Sequence, residues 1–207
     1  MKIQTIETPV HGRVLFEDRG AERLLVGFHG YGEDAATHLA QLEQIPGIDR
    51  WSVAAVQALH PFYTRSGSVV ASWMTSLDRE LASADNVAYV RRVIESLPAS
   101  RTLVFAGFSQ GAAMAARAAA YSARAAGLIL LGGDIPPEIR ADEAVKLPAT
   151  LLGRGRQDDW YTEEKFKQDL NYLERTTSVT TCIFEGGHEW TAPFHIAAGE
   201  FLRSFDA

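Results

Sequence analysis

A single cysteine, Cys182, stands in the 207 residues, so the chain can form neither an internal disulfide nor a cysteine-rich zinc site. Its setting, Val179-Thr180-Thr181-Cys182-Ile183-Phe184, reads as a strand with a structural thiol. His-Glu-x-x-His and paired-cysteine patterns are absent, and no metal site is expected. Basic runs are missing too. With 20 Lys and Arg against 26 Asp and Glu, the formal charge of -6 argues against nucleic acid or an anionic membrane as the main partner. No stretch approaches the roughly 20 apolar residues of a membrane-spanning helix, so stable membrane insertion is not expected. The segment Met1-Lys2-Ile3-Gln4-Thr5-Ile6-Glu7 has no apolar core of signal-peptide length, which makes a cytoplasmic location the expectation. Internal repeats and linkers are lacking as well. What remains, 46% hydrophobic and 22% charged, fits one globular domain over residues 1–207 with a large core.

Apolar runs recur along the chain as short strands. Arg13 to Glu17 and Leu24 to Phe28 flank the turn Asp18-Arg19-Gly20 and suggest a hairpin-like opening. Further strands are expected at Trp51 to Val56, Thr102 to Ala106, Leu128 to Leu131, Ala149 to Leu152 and Val179 to Phe184. Between them, Val87, Val90, Val93, Ile94 and Leu97 repeat at helical spacing, with Asp85 or Asn86 as the cap and Pro98 as the stop. The alanines between residues 112 and 120 form a second helix, and Thr162-Glu163-Glu164 opens a third. Residues 57–84 and 132–148 read as irregular. Strands alternating with helices predict an α/β fold, a mostly parallel central sheet with helices on both faces, because parallel strands need crossover connections. Reactive residues in such sheets gather at the carboxyl ends of the strands.

One of those ends carries Gly107-Phe108-Ser109-Gln110-Gly111, between an apolar strand and the alanine helix. Glycines two residues either side of a serine permit the tight strand-to-helix elbow that lifts a hydroxyl clear of the sheet. A serine hydroxyl is a weak nucleophile at neutral pH and needs a base, which in turn needs an acid to set its tautomer. Downstream strand ends offer Asp158 and Asp159 in one loop and His188, in Gly186-Gly187-His188, in another.

The order serine, aspartate, histidine is that of the α/β-hydrolases. Together with Phe28-His29-Gly30-Tyr31-Gly32, Gly155-Arg156-Gln157-Asp158 and Gly187-His188, the elbow resembles the phospholipase/carboxylesterase family, which includes acyl-protein thioesterases. The resemblance runs from about residue 24 to the end. It implies a single-domain α/β-hydrolase fold and hydrolysis of small-molecule carboxylic esters or thioesters without metal or organic cofactor. Ser109 then maps to the nucleophile, His188 to the base and Asp158 to the orienting acid, the glycine-to-aspartate spacing from Gly155 selecting Asp158 over Asp159. The family's oxyanion donors map to the backbone amides of Tyr31 and Gln110. His29 precedes that loop, where a positional role is as fitting as a chemical one. Glu33-Asp34 departs from the family habit of an aspartate directly after the second glycine. The extra acid is expected to disfavour anionic substrates.

Aromatic residues beside the reactive loops, Trp73, Trp160, Tyr161, Trp190 and the segment His60-Pro61-Phe62-Tyr63, are candidates for a pocket. Trp73 is favoured because Ser72-Trp73-Met74 resembles a tryptophan-containing segment of the family. A carboxylesterase is the leading expectation. A thioesterase or lysophospholipase using the same three residues is the alternative, and a non-catalytic binding protein on the same fold stands further off because all three residues are retained.

Overall fold

A computed structural model describes residues 1–206. Seven strands form one sheet in the order β1 (Arg13–Glu17), β3 (Ser52–Gln57), β2 (Arg23–Phe28), β6 (Thr102–Phe108), β7 (Gly127–Leu131), β8 (Ala149–Gly155) and β9 (Val179–Phe184). All neighbours are parallel except β1, which runs antiparallel to β3. A separate hairpin pairs β4 (His60–Tyr63) with β5 (Val69–Ser72). The helices are α1 (Ala35–Leu42), α2 (Arg79–Ser96), α3 (Gln110–Tyr121), α4 (Pro137–Ala141), α5 (Glu163–Thr176) and α6 (Ala192–Arg203).

Alternation along the strands divides the core in two. Leu24, Val26 and Phe28 of β2, with Phe105, Leu128, Leu130 and Leu152, pack beneath α2, α3, α4 and α5. Their neighbours Leu25, Val104, Ala106, Ile129, Leu131 and Leu151 face the other way, onto α1 and α6. Central strands buried on both faces therefore read as continuous apolar runs. The alanines of α3 let that helix lie close on the sheet, and Ala112, Ala115, Ala116 and Ala118 are fully buried. None of the helices is long and apolar enough to cross a membrane among the described residues.

Several local expectations are corrected. β1 and β2 do not form a hairpin, because both edges of β2 are taken by β3 and β6. Arg19 directs the chain toward β3 instead: its amide donates to Ser52 Oγ at 3.1 Å and its guanidinium to the Ile48 and Trp51 carbonyls, each at 3.0 Å. Helix α2 begins at Arg79, well before the expected cap at Asp85 or Asn86. Asn86 is wholly buried on its inner face, donating to the Trp73 and Ala82 carbonyls, both at 2.7 Å. Residues 57–84 contain the hairpin and the start of α2, and residues 132–148 contain α4.

Candidate active site

Ser109 is the one residue between β6 and α3. Its backbone has φ 54° and ψ −120°, a region non-glycine residues occupy at a cost of about 1 to 3 kcal/mol. Among the described residues only Asp78 shares a positive φ without being glycine. The flanking glycines are required by space. A Cβ on Gly107 would stand 2.1 Å from the Gly111 carbonyl oxygen, and one on Gly111 would stand 2.0 Å from that of Phe28. Both contacts are with backbone, which cannot step aside.

The loops after β8 and β9 bring two distant side chains to this hydroxyl. His188 Nε2 lies 2.7 Å from Ser109 Oγ, and His188 Nδ1 lies 2.8 Å from Asp158 Oδ2. Asp158 Oδ1 accepts from the amides of Trp160 at 2.9 Å and Tyr161 at 2.8 Å, which fixes the rotation of a carboxylate that is almost fully buried. Facing an acceptor-only carboxylate, Nδ1 is the donor, and the lone pair of Nε2 is left for the serine O–H. The His188 ring rests on Phe108, with centroids 4.9 Å apart. Asp159 is exposed and makes no side-chain hydrogen bond among the described residues. Geometry thus gathers Ser109, His188 and Asp158 and leaves Asp159 outside.

Tyr31 and Gln110 sit on two backbone segments beside the hydroxyl. A Cβ on Gly30 would stand 3.3 Å from Ser109 Cβ, which puts the loop after β2 against the elbow. Among the described residues neither the Tyr31 nor the Gln110 amide donates a hydrogen bond to the protein. The Tyr31 loop is tied to the β4–β5 hairpin by Gly32 N donating to Ala71 O at 3.0 Å and Ala71 N donating to Glu33 O at 2.8 Å. His29, fully buried, supports the same loop. Ala58 N donates to its Nε2 at 3.1 Å, so Nδ1 carries the proton and donates to Gly30 O at 2.7 Å. Burial holds this imidazole below its usual pKa, in keeping with a neutral positional role.

Two expectations about the surroundings fail on geometry. Trp73 is completely buried, its Nε1 donating to His29 O at 2.8 Å, so it braces the loop and has no surface to offer a pocket. Nor do Glu33 and Asp34 present an acidic mouth. Asp34 Oδ1 caps α1 by accepting from Thr37 N at 2.7 Å, and Glu33 Oε2 accepts from Gly30 N at 2.7 Å. Burial raises the Glu33 carboxyl above its ordinary range, against the Gly30 amide and the nearby His188. The open side of Ser109 is a cleft of about 220 Å³ bordered by Met74, Arg79, Ala113, Arg117, Asp134, Trp160 and Lys165. Of the aromatic candidates, only Trp160 borders it.

Other polar side chains of the site gave no signal as a motif. The Gln110 side chain bridges to the end of β5: Oε1 accepts from Trp73 N at 2.8 Å and Ser72 Oγ at 3.2 Å, while Nε2 donates to Met74 O at 2.8 Å. Asp169, wholly buried on α5, accepts from Ile135 N, Arg140 Nη1 and the Tyr161 hydroxyl, which anchors the loop that carries Asp158. Its place among Phe166, Tyr172 and Leu173, an acid at core spacing on an amphipathic helix, was the available clue.

The profile of the family described as Phospholipase/Carboxylesterase matches residues 11–204. The chain belongs to that family. Solved structures similar to the chain include esterases and an acyl-protein thioesterase. The acyl-protein thioesterase 2 of Zea mays superposes with a TM-score of 0.72 at 18% identity, covering 94% of this chain and 99% of the other. The Bacillus cereus carboxylesterase gives 0.71 at 18% identity, with 93% and 94% covered. Esterase PE8 gives 0.69 at 26% identity, with 93% and 97% covered. A search of curated proteins finds no match. This family member therefore shares the α/β-hydrolase fold with these proteins.

Proposed function

We propose that this chain is a serine hydrolase that cleaves carboxylic esters through an acyl-enzyme on Ser109. The observation that carries the proposal is the hydrogen-bonded row from Ser109 Oγ through both nitrogens of His188 to Asp158 Oδ2. In that row Ser109 Oγ attacks the substrate carbonyl while its proton moves to His188 Nε2, and Asp158 holds Nδ1–H and offsets the imidazolium charge. The resulting oxyanion takes hydrogen bonds from the Tyr31 and Gln110 amides, the latter at the amino end of α3. Collapse breaks the bond to the leaving oxygen, which receives the proton from Nε2. Water then attacks the acyl-enzyme, gives its proton to Nε2, and Ser109 leaves with that proton restored. Losing one oxyanion donor would cost roughly 3 to 4 kcal/mol of transition-state stabilisation.

A thioester substrate is the second reading. The Zea mays acyl-protein thioesterase 2 among the structural neighbours supports it, and the same row attacks either carbonyl. The cleft beside Ser109, at about 220 Å³, fits a short acyl group, and a longer one would extend into the groove of about 520 Å³ past Arg79 and Arg117. Turnover of matched acetyl, butyryl and longer p-nitrophenyl esters and thioesters tests both readings. Esters should be cleaved better than matched thioesters, and a clear preference for long-chain thioesters would move the assignment to thioesterase. Intact protein inert toward every member of the panel would overturn the hydrolase proposal.

A further inference from the structure

The chain carries a net charge of -6, yet three cationic side chains border the cleft beside Ser109. They reach it from three separate helices: Arg79 at the start of α2, Arg117 on α3 and Lys165 on α5. Arg79 is exposed and makes no ion pair among the described residues. Lys165 is exposed, with its Nζ held by the Trp160 carbonyl at 2.9 Å. Arg117 is buried and shares its charge with Glu138, at 2.7 Å, whose own side chain is about half exposed. Asp134 is the acid on the cleft border, and Glu80 lies farther along, in a groove that continues past Arg79 and Arg117. Glu33 is not on the cleft border, but it accepts from the Gly30 amide and lies near enough to His188 for their charges to interact.

We propose that this cleft selects esters bearing a small anionic group, a carboxylate or phosphate, that sits between Arg79 and Lys165 while the carbonyl faces Ser109. The inference rests on the hydrolase reading above and names its substrate class. A guanidinium and an ammonium group on the cleft border suit such a group, the arginine through its planar fork and the lysine as a point charge. Arg117 also borders the cleft, with its charge offset by Glu138. It lies two turns along α3 from Ser109, about 12 Å by helical rise. Solvent limits the effect. Exposed pairs contribute little individually, up to roughly fivefold each, so two cations give a preference on the order of tenfold.

The test compares charged and neutral esters of matched length by pH-stat titration. Monoethyl adipate against ethyl hexanoate places the charge on the acyl side; a butyryl ester of glycerol phosphate against monobutyrin places it on the leaving group. The charged member of at least one pair should show the higher kcat/KM, by on the order of tenfold. That ratio should fall severalfold in Arg79→Gln and in Lys165→Gln. It should also shrink as salt rises to about 1 M, where the screening length is about 3 Å. Whichever pair responds identifies the side of the ester that carries the charge. Neutral esters cleaved as well as or better than both charged partners would overturn the inference while leaving the hydrolase reading intact. A charge preference untouched by both substitutions would also overturn it. Absence of turnover on all four esters would remove the hydrolase reading and the inference together.

Discussion

Asp158→Asn is a nearly isosteric change whose outcome is set by two backbone amides. Oδ1 of Asp158 accepts from Trp160 N at 2.9 Å and Tyr161 N at 2.8 Å, so an asparagine must keep its carbonyl oxygen there. Its amide NH2 then takes the place of Oδ2, 2.8 Å from His188 Nδ1. A donor at that point forces Nδ1 to become the acceptor and moves the ring proton to Nε2, which then faces Ser109 Oγ with no lone pair to receive a proton. The reversed tautomer should lower kcat by about 10⁴, or roughly 5.5 kcal/mol of barrier. Both amides stay satisfied, so stability should change by less than about 1 kcal/mol. The assay is p-nitrophenyl butyrate hydrolysis alongside thermal unfolding, with Asp159→Asn as the comparison. Asp159→Asn should keep near-native turnover. If Asp158→Asn retained more than about a tenth of native activity, or if Asp159→Asn lost as much, the role given to Asp158 would be refuted.

Gln110→Ala removes the bridge to β5 but not the main-chain donor of residue 110. The Trp73 N–H is orphaned while the Met74 carbonyl keeps the Ser72 hydroxyl at 2.9 Å, so the change should cost about 1 to 3 kcal/mol in urea unfolding, with turnover reduced about 10 to 100-fold through lost positioning. Gly111→Ala should destabilise by more than about 3 kcal/mol or abolish soluble expression, since its Cβ meets the Phe28 carbonyl at 2.0 Å; near-native stability would contradict the elbow packing. His38, fully buried and with neither ring nitrogen in good hydrogen-bond geometry among the described residues, is held down to about 3 by burial and by His29, only partly offset by the Ala106 backbone, against 6.5 in the free side chain. The unfolded chain therefore takes up the proton first. This stabilising contribution is complete above the free value and declines as pH falls from about 6.5 toward 3, by about 2 kcal/mol at pH 5. His38→Leu should remove that part of the acid sensitivity, measured by urea unfolding at about pH 5 and about pH 7.5.

The parallel strands were legible because burial on both faces leaves continuous apolar runs, as in Leu24 to Phe28 and Leu128 to Leu131. The position of the elbow was legible for a steric reason, the close approach of Gly107 and Gly111 to backbone. Less legible were features set by long-range pairing. β1 pairs with β3, residues away in sequence, and no local pattern distinguishes that from a hairpin with β2. The start of α2 was misplaced because Asn86, a good cap by type, is held in the core by the Trp73 carbonyl. Trp73 itself illustrates the limit at the site. The resemblance of Ser72-Trp73-Met74 to a family segment suggests a pocket residue, but only the fold shows that its indole N–H is directed at His29 O. Arg79 and Lys165 carry no motif at all, and meet at the cleft only through the packing of α2 and α5.

The most direct test of the central claim is the intact mass and peptide map of the protein after reaction with a fluorophosphonate. An activated hydroxyl in the Ser109–His188–Asp158 row predicts one adduct per chain, located on Ser109, with loss of ester turnover in proportion to labelling and with labelling strongly slowed in His188→Ala. Folded protein that hydrolyses esters while Ser109 stays unmodified, or that labels equally fast without His188, would contradict it.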